Sequence, residues 1–263
     1  MSKHAALDTF GKSGNHVIRS SAFNASASAG SERMTLDGAV NKTAIMLAVL
    51  VSTATISWNF SGPLIDLVTL VGIFAAVVSS FITFGLWIPF IGFIVNPRPY
   101  LAPRTWLIFA AGEGFLIGSI SLTFETMFPG IVLEAVSLTF CVAATLLFLY
   151  KSGLVKPSQN FVLMLCSAIF GIMLFYIGAF IYTLVTGTSP EILSGSSNFS
   201  IGLSLFVVGL AALSLVLDFD IIEQSAERGA PKYMEYFGAM ALVTTLIWLY
   251  IEILRLLAKF RSR

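Results

Sequence analysis

The chain has 263 residues, of which 57% are hydrophobic and only 11% are charged, and its mean hydropathy is +0.89. Soluble domains carry about 25% charged residues, so this composition indicates an integral membrane protein. The formal net charge is +1, from 15 Lys and Arg against 14 Asp and Glu. This balance gives no support to a nucleic-acid-binding protein.

The amino-terminal segment differs from the rest of the chain. Residues 1–38 are polar and rich in Ser, Ala and Gly, and they contain no apolar run of the kind found in signal peptides. Segments of such low hydrophobicity remain disordered. We therefore predict a disordered cytoplasmic tail over 1–38, a transmembrane domain over 39–257 and a basic carboxyl-terminal tail over 258–263.

Seven apolar stretches are long enough to cross a bilayer, which takes about 20 residues as a helix. They cover roughly 39–58, 68–94, 105–124, 130–150, 160–185, 199–222 and 236–257. Residues typical of turns separate them, for example in 96–103 (NPRPYLAP). The sequence thus predicts an all-α polytopic membrane bundle of seven transmembrane helices.

Basic residues alternate along the predicted loops. They precede the first span and occur in every second loop after it, whereas the other three loops have none. Because Lys and Arg concentrate on the cytoplasmic side, we predict a cytoplasmic amino terminus. Seven spans then place the carboxyl terminus outside, although Arg255, Lys259, Arg261 and Arg263 lie there. The alternative is a re-entrant last segment, and we favour seven spans.

Several kinds of catalytic and cofactor site are excluded by the residues that the spans lack. His4 and His16 both lie in the polar tail, so no span supplies a histidine to haem, zinc or a Ser-His pair. Cys141 and Cys166 lie in apolar runs that indicate packing. No Gly-rich phosphate-binding loop occurs. We therefore expect neither an enzyme nor a cofactor.

Acidic residues in or beside the spans are the candidates for an ion pathway and a pH sensor: Glu113, Asp218, Asp220 and Glu252. An acidic side chain at the bilayer centre costs about 2.5–3.5 kcal/mol, so such residues are functional hypotheses. Asp218 shares a helix face with Ser214 and Ala211, and small residues let helices approach closely. We predict that Asp218 faces the interior, with a side chain that reaches the headgroups as the alternative.

Asp220 cannot share that face, since it lies about 200° from Asp218 around a helix. It aligns instead with Glu223 and Glu227, and a solvated helix end is its structural alternative.

Glu113 and Glu252 also have structural alternatives. Glu113 lies beside the Gly114/Gly118 spacing, which is typical of helix contacts, and its carboxyl group could simply be protonated and bonded to a neighbour. Glu252 has Arg255 three residues later, which allows an interfacial salt bridge of little energetic weight.

Four segments together carry a family resemblance: 34–47 (MTLDGAVNKTAIML), 96–103, 113–121 (EGFLIGSIS) and, most specifically, 213–257. They resemble the Bax inhibitor-1 family of membrane proteins (Bax inhibitor motif, YccA-like), and its bacterial branch. The resemblance implies a seven-helix bundle in the bacterial inner membrane with the final helix near its centre. It also implies a pH-sensitive calcium leak controlled by acidic residues on the sixth and seventh helices.

By this resemblance Asp218 is the sixth-helix acid, and Glu252 is its counterpart on the seventh, so both are expected to contact Ca²⁺. The second acid of better-known members falls nearer Thr245, which leaves Glu113, Asp220 and Glu235 as alternative partners of Asp218. Carboxylates suit this role because Ca²⁺ prefers oxygen ligands and clustered buried acids bind protons near neutral pH. The alternative function is a non-conducting regulator that binds a membrane quality-control protease or another membrane protein.

Overall fold

The computed structural model describes residues 32–59, 63–84, 86–88, 92–95, 98–188 and 190–263. Residues 1–31, which hold most of the predicted disordered tail and both histidines, lie outside the described residues. The helices are α1 (Leu36–Asn59), α2 (Pro63–Phe84), α3 (Ala102–Met127), α4 (Ile131–Lys151), α5 (Gln159–Thr186), α6 (Glu191–Ser194), α7 (Asn198–Glu227) and α8 (Met234–Arg261). The all-α polytopic membrane fold predicted from the sequence is confirmed.

Six of the described helices are long and apolar enough to cross a membrane, and these are α1, α3 with the 3₁₀ turn before it, α4, α5, α7 and α8. α2 is the remaining long helix, with 22 residues, and its apolar part covers Leu67–Thr83. Large apolar side chains such as Phe74, Leu133 and Val185 are exposed on these helices. Exposed apolar side chains of this kind are suited to lipid contact.

The second predicted span was wrong at its end. It was expected to remain helical to residue 94, but α2 ends at Phe84 and two short antiparallel strands follow, β1 (Leu86–Ile88) and β2 (Gly92–Val95). The predicted span contains a proline at position 89 of the sequence, and proline disfavours the continuation of a helix because it lacks a backbone N–H. The pairing of Trp87 with Phe93 and of Ile88 with Gly92 satisfies backbone groups that a broken helix leaves open.

The chain forms two compact units. The first unit contains α4, α5, α6, residues 198–220 of α7 and residues 245–261 of α8. Its apolar core is formed by buried residues of α5 and α7, packed against Trp248 of α8: Val162, Leu165, Cys166, Leu210 and Leu217. The predicted packing role is thereby confirmed for Cys166, whereas Cys141 is exposed on α4.

The second unit contains α1, α2, α3, residues 221–227 of α7 and residues 234–244 of α8. Here α1 and α3 approach closely at the Gly114/Gly118 spacing. A Cβ atom at Gly114 would overlap Thr53 Oγ1 and the carbonyl oxygen of Leu50. The sequence prediction of a helix contact at this spacing is therefore correct.

Part of the predicted amino-terminal tail is ordered. Residues 32–34 lie beside the connection between α7 and α8, where the Met34 N–H donates to the Ala230 carbonyl oxygen at 2.7 Å and Arg33 forms a β-bridge with Pro231. The Met34 side chain is buried, and α1 begins at Leu36. The boundary predicted at residue 38 was therefore too late, because backbone pairing and one apolar anchor fix a segment that composition alone marks as disordered.

The carboxyl-terminal boundary was also misplaced. α8 runs without a break from Met234 to Arg261, which is 28 residues or about 42 Å at 1.5 Å per residue. A helix of this length exceeds the hydrocarbon thickness of about 30 Å, and an unbroken helix does not turn back as a re-entrant segment must. Most of the predicted basic tail from residue 258 onward is thus the last turn of a crossing helix.

Replacing Gly114 with Ala tests the contact between α1 and α3. Although Ala is favoured over Gly in helices by roughly 1 kcal/mol, the overlap with α1 should dominate and lower the stability by about 1–3 kcal/mol. Thermal unfolding in detergent measures this effect. Gly171→Ala in α5 is the matched control, since a Cβ atom there meets nothing within 4 Å. Equal melting temperatures for the two variants would contradict the close contact.

Candidate functional site

A row of small and polar side chains follows one face of α7 through the first unit. Ser200, Ser204, Ala211, Ser214 and Asp218 lie within about 40° of a common line on the helix, and all five are buried. We call these residues the α7 polar stripe. Asp218 itself is fully buried, so its predicted interior placement agrees with the structure, and the alternative of a side chain in the headgroups is wrong.

The serines of this stripe are compatible with a transmembrane helix because they find acceptors nearby. The Ser214 hydroxyl donates to the Ala211 carbonyl oxygen one turn earlier at 2.8 Å, and the Ser200 hydroxyl donates to the Ile192 carbonyl oxygen in α6 at 2.8 Å. Bonds of this kind let a hydroxyl lie in an apolar environment. Each oxygen also keeps lone-pair capacity for a further donor or a cation.

A second polar row lies on α8. Thr245, Glu252 and Lys259 are spaced seven residues apart, which keeps them on one helix face, and all three are buried. We call them the α8 polar stripe. Three buried polar residues at this spacing are costly in a transmembrane helix, so this helix face is a candidate functional surface.

Lys259 joins the two stripes. Its Nζ donates to Ser204 Oγ at 2.7 Å and to the Ser200 carbonyl oxygen at 3.3 Å. The end of α8 thus lies beside the start of α7, so the two helices run antiparallel in the first unit. The α7 polar stripe and the α8 polar stripe therefore lie next to each other.

The antiparallel contact sets a register between the stripes. Glu252 lies seven residues before Lys259, and Ala211 lies seven residues after Ser204, so these two fall in one layer. A further seven residues bring Thr245 and Asp218 into the next layer. Asp218 and Glu252 are therefore about 10 Å apart along the helix axes, which places them in series along the stripes.

Glu252 receives hydrogen bonds from two different helices. The Tyr176 hydroxyl of α5 donates to its Oε1 at 3.3 Å, and Arg255 Nη1 donates to the same atom at 3.3 Å. The salt bridge that the sequence offered as a structural alternative is thus present. Glu252 nevertheless remains buried while Arg255 is exposed, so the carboxylate faces the protein and the guanidinium faces outward.

Asp220 points away from Asp218, as the 200° offset predicts. It is half-buried and accepts a hydrogen bond from the Tyr150 hydroxyl of α4 at 3.3 Å, whereas Glu227 farther along the predicted acidic row is exposed. Its proposed part in an ion pathway stays a prediction.

Glu113 lies in α3, in the second unit, and is half-buried. The buried residues Ala110 and Ile117 are on the same helix face, at three residues before and four after it. This face is directed into the unit, which agrees with an interior carboxyl group. Whether Glu113 and Asp218 share a path stays a prediction.

Glu235, the remaining alternative partner of Asp218, is held at the start of α8 in the second unit. Its Oε1 accepts from both the N–H and the hydroxyl of Thr35 at 2.9 Å, and its Oε2 lies 3.5 Å from Lys42 Nζ. Gly38 makes room for it, since a Cβ atom there would overlap the carboxylate. Glu235 is fully buried, and these local bonds compensate its charge, so it acts as a clamp on the start of α1.

An exposed ion pair lies close to this clamp, outside the membrane-spanning helices. Lys232 Nζ is 3.3 Å from Glu32 Oε2, and the hydrogen bond to Glu32 together with the charge of Glu235 raises the pKa of Lys232. The pair supplements the backbone bond from Lys232 N–H to the Glu32 carbonyl oxygen.

The described residues contain no group of three or more His, Cys, Asp or Glu side chains that could hold a metal ion together. Asp218 and Glu252, the two acids expected to contact Ca²⁺, lie in successive layers. Their expected contact with Ca²⁺ stays a prediction.

The sequence model of the family described as Bax inhibitor 1 like matches residues 15–262. The chain belongs to this family. The match covers nearly the whole sequence, including all the helices that carry the two stripes, and confirms the resemblance to the family, while the assignment to its bacterial branch stays a prediction. No individual curated protein matches the chain.

Two residues of the candidate site were not found from the sequence. Lys259 was assigned to the basic tail, although its spacing of seven from Glu252 and fourteen from Thr245 places it on the same helix face. The contact of Tyr176 with Glu252 was not predicted, because an apolar run such as α5 does not indicate which residue of another helix a tyrosine contacts. The spacing of Lys259 could be read from the sequence, whereas the contact of Tyr176 could not.

The Glu235 clamp predicts an unequal response to two similar substitutions. Glu235→Ala leaves the Thr35 donors and Lys42 without their acceptor, and should lower the stability by about 1.5–3 kcal/mol, the usual range for hydrogen bonds to a charged group. Glu32→Ala removes the exposed partner of Lys232 and should lower the stability much less. Thermal unfolding and limited proteolysis before α1 measure both. A Glu235→Ala protein that resists protease like the wild type would show that the clamp does not hold α1.

Proposed function

We propose that this member of the Bax inhibitor 1 like family is a pH-sensitive calcium leak channel or transporter, with no catalytic step. The observation that supports it most directly is the antiparallel pair of polar stripes, with Asp218 fully buried in one and Glu252 buried in the other. Buried acids in membrane helices mark ion or proton pathways. Family membership is consistent with this reading.

The chemistry of the layers fits a hard cation. The Asp218 layer supplies a carboxylate together with the hydroxyls of Ser214 and Thr245, and the next layer supplies the Glu252 carboxylate with the Tyr176 hydroxyl. Ca²⁺ takes several oxygen ligands of this type. A proton that binds either carboxylate removes the charge that attracts the ion, so protons and Ca²⁺ compete for the same groups. Glu113 and Asp220 are proposed as further contributors.

Neutral replacements test the acids as a titrating pathway. Asp218→Asn and Glu252→Gln should each lower calcium flux into proteoliposomes that contain only this protein, and should flatten its dependence on pH. We expect Asp218→Asn to have the larger effect because Asp218 is fully buried. The double variant should be non-additive if the acids are coupled, and additive if they act independently.

Glu227→Gln is the matched control, because it removes an exposed acid at the end of the same helix α7. If both single variants are folded and keep the wild-type dependence of calcium flux on pH, the proposed ion pathway is contradicted. The non-conducting regulator that binds a membrane quality-control protease or another membrane partner then becomes the better account.

We further propose that the protein lies in the bacterial inner membrane with its amino terminus in the cytoplasm. The alternation of basic loops supports this orientation. Reporter tags within 96–104 and 151–157 should be cytoplasmic, and tags within 186–198 and after Arg263 should be external, since α8 is unbroken. A cytoplasmic carboxyl-terminal tag would contradict the seven-span topology.

A further inference from the structure

Lys259 occupies an unusual position for a lysine at the end of a membrane helix. It lies in the last turn of α8, where the neighbouring Phe260 and Arg261 are exposed, yet only 8% of Lys259 is exposed. Lysines at such positions normally extend their amine to the headgroups and water. This amine is directed instead into the contact with α7, at Ser204 and Ser200.

The ammonium has hydrogen-bond acceptors here but no salt bridge, and the carboxylate that acts on it, Glu252, lies one layer away. A hydroxyl and a carbonyl oxygen are both neutral, and no ion pair among the described side chains includes Lys259. Burial of a charge without a direct ion pair is costly, and a neutral side chain could occupy the same position at lower cost. The position of this charge in the α7–α8 contact is the observation from which we infer a role.

The register of the two stripes indicates what the charge of Lys259 could do. Lys259 and Ser204 form the layer that follows the layer of Glu252 and Ala211, at the end of the α7–α8 contact where α8 ends. A cation that follows the stripes past Asp218 and Glu252 must pass this layer. In a medium of low dielectric, a fixed positive charge repels a divalent cation strongly and is little screened by salt.

We propose that Lys259 is an electrostatic barrier to cations at this end of the path, and that its charge limits the leak. This inference rests on the proposed function, because it assigns the control of the same path. Ser204 and Ser200 hold the Lys259 amine in the proposed path. Arg255 is paired with Glu252, so Lys259 is the cation that we assign to the barrier.

The test is calcium flux into proteoliposomes of the full chain at one fixed pH. Lys259→Gln removes the charge and keeps a hydrogen-bond donor for Ser204, and Lys259→Met removes both. Each should raise the flux roughly tenfold, while Lys259→Arg, which keeps the charge, should stay near the wild type. Arg263→Gln is the matched control, since it removes a charge from an exposed residue at the same end of the chain.

Each result decides between the explanations. Raised flux in both neutral variants, with wild-type flux in Lys259→Arg and Arg263→Gln, supports the barrier. If Asp218→Asn lowers the flux but Lys259→Gln leaves it unchanged, the proposed function stands and the barrier is overturned. If Lys259→Gln and Arg263→Gln raise the flux equally, a general surface charge acts and the barrier is again overturned. If neither the wild type nor Lys259→Gln conducts at this pH or at any pH of the titration described under the proposed function, both proposals fail.

Discussion

The hydrocarbon interior of a membrane cannot solvate a charge, and under this constraint several ionisable side chains of the transmembrane helices lie beside polar groups of the protein. Glu235 is bonded to Thr35 and lies near Lys42, Glu252 is bonded to Tyr176 and Arg255, and Lys259 is bonded to Ser204. Each of these bonds joins one helix to another or to the next turn. The few charges of the chain thus fix which helix faces meet.

The same constraint explains why small residues are prominent at the contacts. Without a hydrophobic force between helices in lipid, close approach and interhelical hydrogen bonds must hold them together. In the second unit, Gly114 lets α3 lie against the backbone of α1, and the hydroxyls of Ser57 and Ser119 meet at 3.0 Å beside it. In the first unit, the buried Ala211 places a small side chain on α7 in the layer that contains Glu252. Small side chains therefore lie at a close helix contact in one unit and in the same layer as a buried polar group in the other.

The two ends of α8 show how a charged terminus can be stabilised locally. At its start, Glu235 binds the segment before α1. At its end, Arg261 donates to the Pro129 carbonyl oxygen at 2.7 Å and pairs with Glu134 at 2.6 Å, and Lys259 and Arg255 have the partners described above. Three of the four basic residues at the carboxyl terminus are thereby engaged. Basic residues normally concentrate on the cytoplasmic side, whereas seven spans place this terminus outside. The contacts of these three residues with other protein groups give a physical reason why they occur here.

The sequence by itself determined the membrane class, the family and the seven long helices, since hydropathy and turn residues act locally and need no partner. It also indicated that Asp218 faces inward, because the small residues of its helix face are spaced by a fixed period. It did not determine the end of α2 at Phe84 or the pairing of residues 32–34, because these depend on the pairing of strands or of distant backbone groups.

Only the tertiary structure decided the register of the two stripes, the bond from Tyr176 to Glu252 and the inward turn of Lys259. Each of these joins residues from different helices. The period of one helix gives a direction for a side chain, but the residue that it meets is set by how the helices pack.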